Sequence, residues 1–337
     1  MTVRYGIAIP PCDHLGRVAD AARRAETLGF SSVWFPDAQL LWRDVFAAMA
    51  LAADRTSTIS IASGVSSTET RHPTVVASAA NTLRELAPGR VILGLGTGAG
   101  LGQLINMASS TRAAFRNDIE LVRTLLAGDW WDFDGRKARL IDAGGTIPIY
   151  MTAGGPKMAQ LAGEVADGVI FSVGTTPSVI QASIDSLAPG LQAAGRARSD
   201  IQVVATAFFS ITDDLERDAA RFKPVCCLLA KAGTGQRVLA EANIEVGDLG
   251  SLPPMFPTIA HAEDWDEAVR LASTVISDEA ALLFAEKFGL FGTIEQVAER
   301  IAAIEAIGVD EIFIRPMEPY LVPFDAMDAF AGGVLSP

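Results

Sequence analysis

Pro148-Ile-Tyr-Met151, followed by Thr152-Ala-Gly-Gly-Pro-Lys157, is the stretch on which the fold of this chain turns. The first four residues form a short apolar run of the kind that a parallel strand, buried on both faces, presents. Two glycines then allow a tight turn. Pro156 suits the first turn of a helix, because the N–H it lacks would be unsatisfied there anyway, and the helical pattern runs on to Glu164. Strand, glycine turn and helix in so short a span make one β–α step.

The same step recurs on both sides. Towards the amino terminus, strand-like runs lie at Val91–Leu95, Ile59–Ser63, Ser32–Phe35 and Tyr5–Ile9. Helical spacing follows them: Leu15, Val18, Ala22 and Ala25 up to Gly29, Val45 to Ala53, and Val76, Ala79, Ala80 and Leu83 between Pro73 and Pro88-Gly89. Towards the carboxyl terminus, strands are expected at Gly168–Val173, Ile201–Ser210 and Glu311–Arg315. Helices are expected over Pro177 to about Ala194, from Asp213, and through Ile294, Val297, Ile301 and Ile304. Eight strands, each beside a helix, predict an α/β fold, a (β/α)8 TIM barrel, as one domain over residues 1–337. Insertions are expected after strand four (residues 96–113 and a small hairpin near Trp131 and Leu140) and after strand seven (a largely helical segment at about 232–290). An open doubly wound sheet would place a phosphate loop after strand one, and Pro10-Pro-Cys-Asp-His14 cannot serve as one.

The net charge of −13, from 27 basic and 40 acidic residues, argues against nucleic-acid or anionic-membrane partners, which require dense Lys and Arg. The three cysteines form no disulfide framework, and Cys226-Cys227 beside Leu228-Leu229 reads as core packing in a reducing compartment. Met1-Thr-Val-Arg leads straight into a strand pattern, and no apolar run approaches the ~20 residues of a membrane span. A cytoplasmic protein is therefore expected.

In barrels of this kind the active site lies at the carboxyl ends of the strands. Three of the loops there are informative. Ala153, Gly154, Gly155, Pro156 and Lys157 read as a phosphate site at a helix amino terminus, or as a plain strand-to-helix turn. Gly94-Leu-Gly-Thr-Gly-Ala-Gly100 would let a flat ring lie against backbone. Ser63-Gly64-Val65 brings a strand into glycine at the barrel mouth, as a bulge or a cofactor contact. His14, His72 and His261 show no metal-ligand spacing, and there is no nucleophile elbow and no evident carboxylate pair. With so few protein acids or nucleophiles at the mouth, an organic cofactor is the expected carrier of the chemistry.

Five segments together resemble the bacterial-luciferase-like superfamily, and within it the deazaflavin branch that includes methylenetetrahydromethanopterin reductase. They are Ala25-Glu-Thr-Leu-Gly-Phe-Ser-Ser-Val-Trp-Phe-Pro-Asp37, Leu83-Arg-Glu-Leu-Ala-Pro-Gly-Arg-Val-Ile-Leu-Gly-Leu-Gly-Thr-Gly98, Ile147 to Lys157, Leu161-Ala-Gly-Glu-Val-Ala-Asp-Gly168 and Phe291-Gly-Thr-Ile-Glu-Gln-Val-Ala-Glu-Arg300. The resemblance implies a non-proline cis peptide at Gly64-Val65 or a neighbouring bond, bulging against the cofactor ring. It implies a coenzyme F420 whose phosphate tail meets Gly154, Gly155 and the helix from Pro156, with Lys157 adding charge and Ser172 and Val173 lining the other side. Asp37, Ser63, Gly96, Thr97, Gly98 and Ala153 complete the implied cofactor contacts.

The chain departs from that pattern where many deazaflavin relatives carry acid–base groups. Ala38 stands in place of a His after strand two, Ala99 in place of a Glu after the Gly-Thr-Gly loop, and Ala8 in place of the pterin reductases' Glu on strand one. Trp42 keeps the aromatic that many of them have. The expected function is an F420H2-dependent reductase that transfers a hydride between the deazaflavin and a polarised C=C or C=N bond of a small-molecule or peptide substrate. The alternatives are an FMN-dependent luciferase-like monooxygenase and a non-catalytic flavin- or deazaflavin-binding protein. Asp37 and Trp42 are the candidate catalytic residues, and Cys12, His14 and Tyr150 are further groups near strand ends. The resemblance also implies a homodimer.

Overall fold

The structure, a computed structural model, describes residues 3–98 and 104–335. Eight parallel strands close on themselves: β1 (Arg4–Ala8), β2 (Ser32–Phe35), β3 (Ser60–Ser63), β4 (Val91–Gly96), β5 (Ile149–Thr152), β6 (Gly168–Phe171), β7 (Gln202–Ile211) and β8 (Glu311–Arg315). Gly6 of β1 sits opposite Ser32 of β2 on one side and Phe313 of β8 on the other. The ring is completed where Val203 of β7 faces Val169 of β6. The expected (β/α)8 barrel is therefore the observed fold.

The outer layer comprises α1 (Leu15–Leu28), α2 (Val45–Arg55), α3 (Pro73–Leu86), α4 (Arg112–Leu126), α5 (Pro156–Val165), α6 (Pro177–Asp185), α7 (Ala188–Ala193), α8 (Leu215–Leu229), α9 (Gly233–Ala242), α10 (Trp265–Ala272), α11 (Asp278–Phe288), α12 (Ile294–Glu305) and α13 (Phe324–Phe330). The apolar stripes of the helices that alternate with the strands bury against the outward faces of those strands. In α1 these residues are Val18, Ala21, Ala22 and Ala25, and in α12 they are Val297, Ile301 and Ile304. The continuous helix expected over Pro177 to Ala194 is broken. Pro189 lies in the first turn of α7, where its missing N–H interrupts the hydrogen-bond ladder from α6.

A second core fills the lumen. Trp34 stacks on Phe313, with ring centroids 5.2 Å apart and planes at 9°, and the Tyr150 ring lies 6.0 Å from that of Trp34. Ala8, Ala62, Ile92, Ile170 and Val204 complete this plug. Beneath it Glu311 is fully buried. It accepts hydrogen bonds from Ser32 Oγ at 2.5 Å and Trp34 Nε1 at 2.8 Å, and burial pushes its carboxyl above the usual value. The plug supplies a floor to anything bound above it.

After β7 the chain runs through α8, α9, α10 and α11. Phe222 of α8 contacts Phe208 at the end of β7 (4.9 Å) and Phe291 (5.1 Å), and α10 and α11 pack around them. Cys226 and Cys227 are buried in this cluster, and burial raises both thiols, that of Cys227 to about 11. One element escapes the sequence pattern. Gly289–Gly292 is a short strand that pairs in parallel with the end of β7, Phe208 facing Gly289. After β4 the hairpin is present as Trp131–Phe133 and Arg136–Ala138.

Candidate active site

The mouth of the barrel is a cavity framed by the strand ends. Ala8 and Pro10 line it from β1, Pro36 and Trp42 from the loop after β2, and Gly64 from the end of β3. Phe208, Phe313, Arg315 and Met317 come from β7 and β8, and Ala260 and His261 reach in from the segment after α9.

The end of β3 is shaped by β4. Ser63 Oγ donates to the Gly94 carbonyl and accepts from the Gly94 N–H, both at 2.9 Å. The strands are so close that a Cβ on Gly94 would lie 2.1 Å from the Ser63 carbonyl oxygen. The Gly64–Val65 peptide is cis, at the position the resemblance implied, and the following Ser66 and Ser67 rejoin β4 opposite Leu95 and Gly96. Gly96 lies between Thr152 Oγ1 and Val65, each 3.0 Å from where its Cβ would be. The Thr97 carbonyl accepts from the Ser110 N–H at 2.9 Å. Gly98 has φ +77°, which disfavours any side chain there. Ala99 and Gly100 lie outside the described residues.

Asp37 does not offer a free carboxyl to the cavity. It is buried and accepts Arg71 Nε and Nη2, each at 3.0 Å, and Ser66 Oγ at 2.6 Å. Arg71 also reaches Asp44 at 3.0 Å. The geometry makes Asp37 a brace between the loop after β2 and the segment after Gly64–Val65, in place of the proton donor considered from sequence. Asp37→Asn is therefore expected to lower unfolding stability by about 3 kcal/mol, the low end for breaking a buried pair since Asp44 still holds Arg71. Urea denaturation measures this. Unchanged stability with lost turnover would instead make Asp37 a proton donor.

Trp42 forms a wall. Its Nε1 donates to the Pro319 carbonyl at 2.9 Å and its ring meets His261 edge-on at 6.1 Å, tying the loops after β2 and β8 together. Tyr150, considered a proton donor near a strand end, is in the lumen below the cavity. Burial there, followed by the Glu311 charge, pushes its hydroxyl up to about 12. Burial also raises the Cys12 thiol. Neither Cys12 nor His14 lines the cavity.

β5 and β6 are neighbours, Thr152 opposite Ile170, so their loops leave the barrel side by side. Ala153 is buried and its N–H donates to the Ile170 carbonyl at 3.1 Å. Gly154, Gly155, Pro156 and Lys157 are exposed. A Cβ on either glycine would meet nothing within 4 Å, and no side chain caps the amino terminus of α5. Across from them Ser172 is exposed and shares a 2.8 Å hydrogen bond with Thr206, while Val173 is buried. This loop is anchored by Arg300, whose guanidinium reaches Thr175 Oγ1 at 2.8 Å and the carbonyls of Glu286 and Gly289.

Two cavity residues were not singled out from sequence. Arg315, the last residue of β8, places its guanidinium 4.7 Å over the Phe208 ring. Burial and then the Arg315 charge hold His261 down at about 4, so the imidazole is neutral at neutral pH. The strand pattern put Arg315 at the mouth without distinguishing it from a solvated strand end. His261 lies in the irregular part of the segment after β7, where no periodicity assigns direction.

The luciferase-like monooxygenase family matches residues 3–311. The chain belongs to that family. Among luciferase-like relatives, the 5,10-methylenetetrahydromethanopterin reductase of Methanolobus tindarius is 31% identical over 320 residues, covering 91% of this chain and 92% of that protein. The F420-dependent glucose-6-phosphate dehydrogenase of Kineococcus radiotolerans is 34% identical over 206 residues, covering 55% and 61%. The solved coenzyme F420-dependent tetrahydromethanopterin reductase of Methanopyrus kandleri superposes with a TM-score of 0.78 at 25% identity, covering 99% of each chain. The resemblance read from the five segments is thereby borne out.

Proposed function

We propose that this luciferase-like protein is an F420-dependent oxidoreductase that reduces a polarised C=C or C=N bond of a small-molecule substrate. The observation that carries the reading is the exposed Gly154-Gly155 turn into the uncapped amino terminus of α5. There backbone amides and the positive end of a helix stand open to an anionic group, with no side chain occupying the space. The names of the luciferase-like relatives support the choice of F420 as that group's carrier.

The residues present fit such a cofactor. Gly64 and Val65 would face its ring, with Ser63, Gly96, Thr97 and Gly98 behind and beside them. Ala153, Gly154, Gly155, Pro156, Lys157, Ser172 and Val173 would hold the tail. When bound, F420 supplies the hydride donor or acceptor, and the protein's own task is to bind, orient and exclude water. The apolar walls Trp42, Phe208 and Phe313 do the last of these. Ala8 and Ala38 carry no acid–base group, and the Asp37 carboxyl is held by Arg71 and Ser66, so the reading favours a substrate bond that accepts hydride without proton transfer by a side chain of the first two strands.

Equilibrium titration with F420 and FMN side by side tests the proposal. Saturable F420 binding with FMN at least about tenfold weaker is expected, a difference of ~1.4 kcal/mol. Preferential FMN binding would replace it with the monooxygenase reading. Stoichiometric F420 binding with no hydride transfer to any activated alkene or imine would leave a cofactor-binding protein.

A further inference from the structure

Among the described residues, Arg315 is the one cationic group on an otherwise apolar wall. Trp42, Phe208, Val225, Leu228, Phe313 and Met317 line the same cavity, and the other titratable lining residue, His261, is neutral. Among the described residues Arg315 makes no ion pair with a carboxylate. The other arginines near the mouth differ. Arg71 is paired with Asp37 and Asp44, and Arg221 with Glu318 and Asp266. The Arg315 guanidinium rests over the Phe208 ring, a contact that helps to hold it in place.

A cation held in an apolar wall without a counter-charge is a poor arrangement for the empty protein and a good one for a ligand that brings the counter-charge. A planar fork of donors matches a planar carboxylate, two parallel N–H···O bonds at once. A phosphate dianion would bring a second charge for which the wall has no second cation. We infer that Arg315 docks a carboxylate on the substrate, so that the substrates of this site have an apolar, unsaturated body and an anionic end. From the functional reading this takes only that the substrate occupies this cavity.

Cinnamate and cinnamamide, which differ only in that end, are the probes, titrated by calorimetry into the unmodified protein and into Arg315→Gln and Arg315→Lys. Cinnamate is expected to bind saturably and at least about tenfold tighter than the amide, the scale of a charge-assisted hydrogen-bond pair. Arg315→Gln is expected to abolish that preference while leaving amide binding in place, and Arg315→Lys to retain part of it. Equal binding of acid and amide, no binding of the acid, or a preference that survives in Arg315→Gln would each overturn the inference. F420 titration of the same proteins separates the two sources of carboxylate. If Arg315→Gln weakens F420 and no cinnamate preference exists, the guanidinium serves the cofactor and the inference fails. A protein that prefers cinnamate yet does not bind F420 would sink the functional reading and leave this one standing.

Discussion

Gly155→Asp should weaken F420 binding by about thirty- to a hundred-and-fifty-fold while leaving the protein as stable as before or slightly more so. The two signs come from one place. Gly155 is the N-cap of α5 in extended backbone that any residue adopts, and its Cβ direction is open. An Asp there is a good cap: its carboxylate accepts from the first-turn N–H groups and sits at the positive end of the helix, contributing about 1 kcal/mol. The same carboxylate occupies the donors an anionic tail would use and adds like-charge repulsion, together about 2–3 kcal/mol against binding at the effective dielectric of a surface site. Thermal melting of the free protein and F420 titration by fluorescence measure the pair. Unchanged affinity with raised stability would mean that the tail lies elsewhere and that the turn is only a turn.

Gly94→Ala should have the larger structural effect. The added methyl would sit 2.1 Å from the Ser63 carbonyl oxygen, which is backbone and cannot rotate away. β3 and β4 would have to separate. That would break the two 2.9 Å bonds between Ser63 Oγ and Gly94 and shift the peptide that follows. Overpacking and the lost buried hydrogen bonds together come to about 3–5 kcal/mol. Loss of F420 binding is expected even where the variant still folds, because Gly64 and Val65 are displaced. Ser63→Ala is the control, removing the hydrogen bonds without the clash. A Gly94→Ala protein that matches Ser63→Ala in urea denaturation would show that the close approach is not required.

The barrel was readable from sequence because each strand is short, apolar and followed by a helix with one apolar stripe, and those patterns are local. Ser32–Phe35 and Glu311–Arg315 fall where the pattern put them. Pro189, visible in the sequence, breaks a helix expected to run through it, an effect that propensity summed over a long window conceals. Gly289–Gly292 could not be read as a strand, since its glycines argue against one and only the exposed end of β7 makes it pair. The loops of the site were legible as glycine turns at strand ends, but the partners of their side chains were not. Asp37 stood where a proton donor could stand. That it is spent on Arg71 depends on a residue more than thirty positions away. Arg315 was hidden for the opposite reason, because nothing in its neighbours along the chain shows that, among the described residues, it forms no ion pair with a carboxylate.

The filled lumen bears on traffic. Trp34, Phe313 and Tyr150 close the barrel from below, and Ala8 and Phe313 belong both to that plug and to the cavity above it. Among the described residues the site is thus a well closed from below. A molecule resting on its floor must arrive before whatever covers it and must wait for that cover to leave. Two ligands that share the well are served in stack order, last in and first out, whichever of them binds more tightly.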